Sequence, residues 1–202
     1  MSTLGELING DRINLERINF LLLDDNQQSL DIMGQIVGGF GARSHVMCRT
    51  VQEAKAAAGR MYIDFVLTEA YLPIENGYDF LRWLRREAGE PNRFAPAVVV
   101  TGDTSATAVR QSRDAGAHFT IAKPITPKVL LQRIFWIARE NRNYIDSDGY
   151  AGPDRRFKRL GPPVGMAGRR SDDMPVKLND SGGPNLSQDE INALMKPAKV
   201  SL

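Results

Sequence analysis

Five polar residues follow short apolar runs of the sequence, and their types suit the binding of a cation and a phosphoryl group: Asp24, Asp25, Glu69, Thr101 and Lys123. Carboxylates bind Mg²⁺, while a hydroxyl and an ammonium donate hydrogen bonds to phosphoryl oxygens. In a parallel sheet the carboxyl ends of the strands lie along one edge, where such side chains converge. Each one alone is explained equally well as a solvated loop residue. Five such residues at the ends of neighbouring strands together predict a binding site for a cation and a phosphoryl group.

The elements that position these residues alternate between strand and helix. A short apolar run predicts a fully buried parallel strand over Ile18–Leu23, and further strands are predicted over Ser44–Cys48, Phe65–Thr68, Ala97–Val100 and Phe119–Ala122. Helical spacing predicts helices from Leu30 to Val37, over Val51–Ala58, around Tyr78–Arg86, from a cap at Asp103 or Thr104 to Ala115, and from Thr126 to about Asn141. This alternation predicts a parallel sheet covered by helices on both faces.

Charge and composition divide the chain into parts. The net charge of +2 comes wholly from residues 142–202, and after Asn143 the composition shifts to Gly, Pro, Arg, Asp and Ser, which predicts a segment unable to order itself. We expect an N-terminal extension over 1–16, a folded domain over 17–142, an Arg-rich segment over 143–175 and a flexible tail over 176–202. Cys48 is the single cysteine, so disulfide and cysteine-metal frameworks are excluded. Without a membrane-spanning run or a signal pattern, we expect a cytoplasmic protein.

The folded part resembles the receiver domain of response regulators, the CheY-like family. The segments LLLDDN, VVVTG and AKP carry the resemblance, which covers roughly residues 17–141. It implies a flavodoxin-like (βα)5 fold, in the α/β class, with a parallel sheet in the order 2-1-3-4-5.

Two positions depart from that family. In DFVLTEAYLP, Glu69 takes the place of the phosphoacceptor aspartate, and its extra methylene would disturb in-line phosphoryl transfer. Thr120 stands where the family keeps an aromatic that moves on phosphorylation, and strand alternation points the adjacent Phe119 to the other face. We therefore expect a receiver that is not phosphorylated, with Glu69 paired to Lys123. Mg²⁺ binding stays open because the two aspartates of the pocket remain. The alternative is a phosphorylation-controlled single-domain response regulator with an incidental basic tail.

The segment GPDRRFKRLGPPVGMAGRR, residues 152–170, concentrates arginines among glycines and prolines. A guanidinium pairs bidentately with phosphate or with the O6 and N7 atoms of guanine and stacks on purine rings, while an aspartate accepts from the Watson–Crick edge of guanine. A ligand with guanines and phosphates would use all these groups. The alternatives are a solvated linker with no specific partner, or nonspecific binding to RNA or a membrane surface. Interleaved acidic residues and a modest cation count argue against nonspecific binding.

A receiver without its phosphoacceptor, followed by such a segment, resembles the Cle proteins, CheY-like cyclic di-GMP effectors of alphaproteobacteria. The resemblance implies that cyclic di-GMP is the ligand and that the loaded protein acts at the flagellar motor or on surface attachment. The residues that would bind it are Arg155, Arg156, Arg159, Arg169 and Arg170 for phosphates and guanine edges, Asp154, Asp172 and Asp173 for the Watson–Crick edge, and Tyr150 or Phe157 for stacking.

The segment NLSQDEINALM, residues 185–195, carries signals for a short helix over 187–195. Ser187 and Glu190 form a capping box, and the apolar residues that would contact a partner are Leu186, Ile191, Leu194 and Met195. A helix this short needs a groove to be stable. The segment resembles the N-terminal peptide of the flagellar switch protein FliM, which binds CheY-like domains on the face of their fourth and fifth strands and helices. The tail would then occupy that face of its own receiver or of another copy; the alternative is a helix that forms only transiently.

These patterns predict a non-enzymatic signalling protein. The sequence shows no nucleophile–base pair, and His45 and His118 are interpreted as structural or exposed. Expected partners are cyclic di-GMP and FliM or a similar switch protein, with no bound cofactor, no nucleic acid and no membrane insertion. Recruitment to the flagellated pole is a further expectation from the resemblance.

Overall fold

The fold is built on five parallel strands. The computed structural model describes residues 15–139, 142–155, 187, 188 and 191. The strands are β1 (Asn19–Leu23), β2 (Ser44–Cys48), β3 (Phe65–Thr68), β4 (Ala97–Thr101) and β5 (Phe119–Ala122), and they lie in the order β2-β1-β3-β4-β5. The predicted flavodoxin-like α/β fold and its strand order are confirmed.

Five helices connect the strands: α1 (Gln27–Gly39), α2 (Val51–Ala58), α3 (Gly77–Arg86), α4 (Ala106–Asp114) and α5 (Pro127–Arg139). A short 3-10 helix, Asn92–Phe94, precedes β4. The prediction that Asp103 or Thr104 caps α4 is wrong. Ser105 is the N-cap, and its hydroxyl accepts a hydrogen bond from the amide of Ala108 at 3.2 Å. The carboxylate of Asp103 instead accepts from the amide of Ser105 at 3.0 Å, so it orders the residue before the helix.

The hydrophobic core forms two layers, one on each face of the sheet. Side chains alternate along each strand, so Phe20 and Leu22 of β1 pack in one layer while Leu21 and Leu23 pack in the other. The first layer lies with α1 and α5, and the second with α2 and α3. Burial on both faces explains why β1, β3 and β4 are nearly continuous apolar runs, whereas the edge strand β2 is exposed at alternate positions. No helix within the described part of the chain has the length and apolarity needed to cross a membrane.

An antiparallel hairpin of β6 (Tyr144–Ser147) and β7 (Tyr150–Pro153) follows α5. The guanidinium of Arg86, in α3, donates to the carbonyls of Ser147 at 2.8 Å and Asp148 at 3.0 Å, and Arg93 forms an ion pair with Asp146. The prediction that the chain after Asn143 cannot order itself is wrong for 144–153. The hairpin is ordered by contacts with α3 and the residues after it, which its own composition does not reveal.

The hairpin also packs closely on the turn before β5. A side chain at Gly116, whose φ is +91°, would bring its Cβ to 2.9 Å from the carbonyl oxygen of Ala151. The hydroxyl of Tyr144 donates to the carbonyl of Arg85 at 3.0 Å, and Arg85 is itself buried with its guanidinium bonded to the carbonyls of Arg93, Ala95 and Gly116. These contacts fix the hairpin at the amino end of β5.

Candidate functional site

The pocket residues are positioned by hydrogen bonds that continue the sheet beyond the strand ends. The amide of Asp24 donates to the carbonyl of Cys48 at 3.1 Å, that of Glu69 to Leu23 at 2.7 Å, and that of Lys123 to Thr101 at 2.9 Å. Because the backbone of each residue is held by the neighbouring strand, their side chains project from one edge of the sheet.

The ammonium of Lys123 lies between two carboxylates. Its Nζ atom is 2.7 Å from Oδ2 of Asp24 and 2.6 Å from Oε2 of Glu69, and 3.4 Å from the hydroxyl of Ser29. Both carboxylates are buried, Asp24 with 1% and Glu69 with 8% of its surface exposed. Partial burial alone would lower the pKa of Lys123, but hydrogen bonds and attraction from Asp24 and Glu69 outweigh it and hold the pKa above its usual value. The expected pairing of Glu69 with Lys123 is present.

The second carboxylate oxygen of Glu69 is bound by its own loop. Oε1 accepts from the amide of Ala70 at 2.6 Å and from that of Tyr71 at 3.3 Å. The extra methylene, relative to aspartate, allows the carboxylate to reach these amides and Lys123 together. Both oxygens are therefore engaged, and the carboxylate is held by three donors.

Thr101 and Asp25 make other contacts. Thr101 is buried, and its hydroxyl oxygen accepts from the amide of Asp103 at 3.3 Å. Asp25 is half-buried, and its carbonyl accepts two hydrogen bonds from Arg49, at 3.1 and 3.3 Å. The structure thus brings three of the five predicted pocket residues into direct contact.

Mg²⁺ does not fit this arrangement. Among the residues that the structure describes, no three His, Cys, Asp or Glu side chains are grouped to hold a metal ion. Asp24 and Glu69 are the two buried carboxylates of the pocket, and the ammonium of Lys123 already stands between them as their cation. A divalent ion would have to displace it.

Tyr71 links the two loops that flank the pocket. Its hydroxyl donates to Oδ2 of Asp103 at 3.0 Å, which joins the β3–α3 loop to the β4–α4 loop. Its ring packs edge-on against Tyr78 with centroids 5.8 Å apart, and the hydroxyl of Tyr78 donates to the carbonyl of Ala108 at 3.2 Å. Sequence reasoning missed this link, since an exposed loop tyrosine gives no signal of its partner.

Gly77 permits the close approach of α3 to the end of β3. A Cβ at this position would lie 1.9 Å from the carbonyl oxygen of Glu69 and 2.6 Å from the hydroxyl of Thr68. The amide of Gly77 donates to the carbonyl of Ala70 at 2.8 Å. The first residue of α3 therefore fixes the loop that holds Glu69.

The two residues at the start of β5 face opposite sides, as predicted. Phe119 lies in the core layer with α5, its ring 5.7 Å from that of Trp136. Thr120 is buried on the other side, where its hydroxyl donates to that of Ser112 in α4 at 2.8 Å. A small side chain bonded to α4 therefore occupies the position after Phe119.

The beginning of the Arg-rich segment lies at the other end of β5 from the pocket. The guanidinium of Arg155 stacks over the ring of Tyr150 at 3.9 Å from the centroid and pairs with Asp114, at the end of α4, at 2.5 Å. Tyr150 is buried, and its hydroxyl donates to the carbonyl of Pro153 at 2.7 Å. Burial raises the pKa of Tyr150 to about 12 against the opposing charge of Arg155. The amide of Asp154 donates to the carbonyl of Asn143 at 2.8 Å.

Three of the predicted ligand-binding residues, Asp154, Arg155 and Tyr150, thus lie together at the amino end of β5. The remaining predicted residues fall outside the described part of the chain: Arg156, Phe157, Arg159, Arg169, Arg170, Asp172 and Asp173. Leu186, Leu194 and Met195 of the predicted partner-binding helix also fall outside it.

Two residues of the C-terminal segment, Gln188 and Ile191, lie against β5, which is the last strand of the sheet. The side chain of Gln188 accepts from the amide of Ala122 at 2.7 Å and donates to the carbonyl of Thr120 at 3.2 Å. The amide of Ile191 donates to the carbonyl of Ser187 at 3.0 Å, as in a helical turn, and Ile191 is fully buried in the core layer that contains Phe119. The expected contact with the fifth strand is therefore made within the same chain.

The sequence model of the response regulator receiver domain matches residues 20–135, more than half of the chain. The chain belongs to the response regulator receiver domain family. A CheY-like receiver domain protein from Methanospirillum hungatei JF-1 is 27% identical with a TM-score of 0.52, and the match covers 58% of this chain and 90% of that one. The chemotaxis response regulator CheY4 of Vibrio cholerae is 21% identical with a TM-score of 0.54, over 59% of this chain and 98% of that one, which shows the shared fold.

Longer proteins carry similar receivers. The sensory/regulatory protein RpfC of Xanthomonas campestris is 27% identical over 131 residues, and the DNA-binding response regulator MtrA of Mycobacterium tuberculosis is 32% identical over 127. These matches cover 65% and 63% of this chain, and only 18% and 52% of the relatives. What is shared is the receiver, a signalling module of two-component systems.

Proposed function

We propose that this receiver is a non-enzymatic signalling protein whose input is a guanine dinucleotide, cyclic di-GMP, bound by its Arg-rich segment. The ligand-bound protein then docks on a partner at the flagellar motor switch, FliM or a similar protein, or on a surface-attachment partner. The observation that carries the proposal is the set of contacts made by the Glu69 carboxylate, which binds the ammonium of Lys123 and the amides of Ala70 and Tyr71.

The engaged carboxylate argues against phosphorylation as the input. A phosphoacceptor must approach a phosphorus atom in line while a metal and a lysine neutralise the developing charge. Here the lysine is already paired with both buried carboxylates, and the extra methylene displaces the acceptor. A receiver that keeps its fold but has lost this reaction needs another signal.

The contacts of Arg155 support a planar, anionic ligand. Its guanidinium carbon lies 3.9 Å from the centre of the Tyr150 ring and the group pairs with Asp114, while Arg155 remains exposed and follows Asp154 in the chain. A guanidinium fixed in this way can stack with a purine ring or pair with a phosphate at a smaller cost in side-chain entropy. Tyr150 would then act as support for Arg155, and Phe157 would remain the candidate for stacking on the ligand.

The remaining support comes from the sequence. Two arginine pairs, Arg155–Arg156 and Arg169–Arg170, each have aspartates close by, and the layout resembles the Cle proteins, CleD most of all. A compact dinucleotide with two guanines and two phosphates matches two such clusters. The match of the C-terminal segment to the FliM peptide supports a motor partner.

Calorimetric titration of cyclic di-GMP into the full chain tests the input. The test variant is Arg155→Ala/Arg156→Ala/Arg169→Ala, and GTP and a short RNA are the control ligands. We expect tight binding by the wild type, loss of binding in the variant and no binding of either control. Absence of dinucleotide binding, or equal binding of RNA, would overturn the proposal.

A further inference from the structure

We propose that Asp114, the last residue of α4, is a positioning residue for Arg155, so that the receiver itself takes part in the site proposed for the dinucleotide. The inference rests on the proposed function and deepens it, because it assigns a role to a residue outside the Arg-rich segment. Its consequence is that the ligand site is joined to the end of α4.

The guanidinium of Arg155 is held by two contacts of different kinds. Its Nη1 atom lies 2.5 Å from Oδ1 of Asp114, and its carbon lies 3.9 Å from the centre of the Tyr150 ring. The ring limits the position of the group on one side, and the carboxylate limits its rotation over the ring. A guanidinium carries five N–H donors, so donors remain for a phosphate or for a guanine edge while Asp114 stays bound.

The two partners of Arg155 stand on one packed frame. Tyr150 is buried in β7, and Asp114 ends α4 two residues before Gly116. Gly116 lies so close to the hairpin that a Cβ there would be 2.9 Å from the carbonyl oxygen of Ala151. Because β7 and the end of α4 pack against each other at this glycine, the ring and the carboxylate present Arg155 with a preformed seat.

The charges around Asp114 suit an anionic ligand although the cluster contains an acid. The carbonyl dipoles at the end of a helix disfavour a carboxylate there, so Asp114 gains from nearby cations. Nε of Arg113 lies 3.5 Å from the same Oδ1 atom that Arg155 contacts. Two guanidinium charges and one carboxylate charge leave the cluster with net positive charge, which attracts a phosphodiester.

Calorimetric titration of cyclic di-GMP into the full chain with Asp114→Ala tests the inference. We expect binding about threefold to tenfold weaker than in the wild type, because the ligand must then order Arg155 itself. The direction is diagnostic, since removal of a negative charge would by itself tighten the binding of an anion. Asp148→Ala, in the turn of the hairpin, removes the same charge outside this pair and is the matched control, which should not weaken binding. Asp114→Asn keeps an acceptor at the same place and should recover part of the affinity.

Two further measurements show whether Asp114 acts through Arg155. In a chain that already carries Arg155→Ala, Asp114→Ala should cause no further loss of affinity. In the ligand-free protein, Asp114→Ala should move the Nε–H resonance of Arg155, while the amide shifts of Ile145 and Gly152 stay unchanged and show that the hairpin is intact. Equal or tighter binding by Asp114→Ala, the same loss in Asp148→Ala or in the Arg155→Ala chain, or an unmoved Arg155 resonance would overturn this inference alone. Absence of binding by the wild type would instead overturn the proposed function, and this inference with it.

Discussion

The ammonium of Lys123 lies 2.6 Å from Oε2 of Glu69 and 2.7 Å from Oδ2 of Asp24. Two buried carboxylates and one cation form a unit that neutralises much of its own charge. The second oxygen of Glu69 is held by the loop amides of Ala70 and Tyr71, so the carboxylate is fixed from both sides. A substitution at Glu69 therefore alters the contacts with Lys123, Ala70 and Tyr71 as well as the chemical group at this position.

Replacing Lys123 with methionine should destabilise the fold by about 3 kcal/mol, because removing one partner of a buried ion pair leaves uncompensated charge. Two carboxylates would then face each other without a cation. Urea unfolding at neutral pH measures the effect. Glu69→Gln is the control, since Lys123 keeps Asp24, and it should cost distinctly less. Equal losses in the two variants would show that the three groups do not act as a unit.

Glu69→Asp should restore reactivity toward small phosphodonors. The shorter side chain withdraws the carboxylate from the amides of the loop and places it where in-line attack is geometrically possible. Incubation with acetyl phosphate and Mg²⁺, followed by intact-mass measurement, should show an added phosphoryl group on the variant and none on the wild type. A stable acyl phosphate on the wild type would favour the alternative of a phosphorylation-controlled regulator.

Gly77→Ala should destabilise the protein by about 2–3 kcal/mol, since a Cβ 1.9 Å from the carbonyl oxygen of Glu69 forces the loop or α3 to move. Gly38→Ala is the matched control. It lies in α1, where an added Cβ would meet no atom within 4 Å, and the change should gain about 0.5–1 kcal/mol in helix propensity. Thermal unfolding of both variants distinguishes a local clash from a general effect of adding a methyl group.

The central strands β1, β3 and β4 were predictable from sequence because they are buried on both faces. Apolar runs such as Ile18–Leu23 and Ala97–Val100 predict buried parallel strands, and the polar residues after them indicate where the strands end. The meeting of Asp24, Glu69 and Lys123 follows from strand order alone. The conformation of the Glu69 side chain does not, because it depends on amides of the following loop.

The hairpin and the loop contacts were not predictable for a related reason. Residues 144–153 carry few apolar groups, and their order depends on Arg86 and Arg93, which are distant in sequence. The same holds for the bond between Tyr71 and Asp103, and for Gln188, whose sequence signal is only its place in a helix predicted over 187–195. Hydrogen-bond partners that are far apart in sequence produce no local sequence pattern from which the contact could be predicted.

His118 should make the free energy of unfolding fall as the pH drops below about 6.5, the ordinary pKa of a histidine side chain. Burial, together with the charges of Arg85 and Arg142, holds the pKa of this side chain well below its usual value, and its Nδ1 accepts from the amide of Ala97 at 3.3 Å. The unfolded chain therefore binds a proton that the folded chain does not. Below the pKa of the unfolded histidine, the free energy of unfolding then falls by up to about 1.4 kcal/mol per pH unit. Urea unfolding between pH 7.5 and 5.5 should give a flatter profile for His118→Gln; parallel profiles would contradict the assignment.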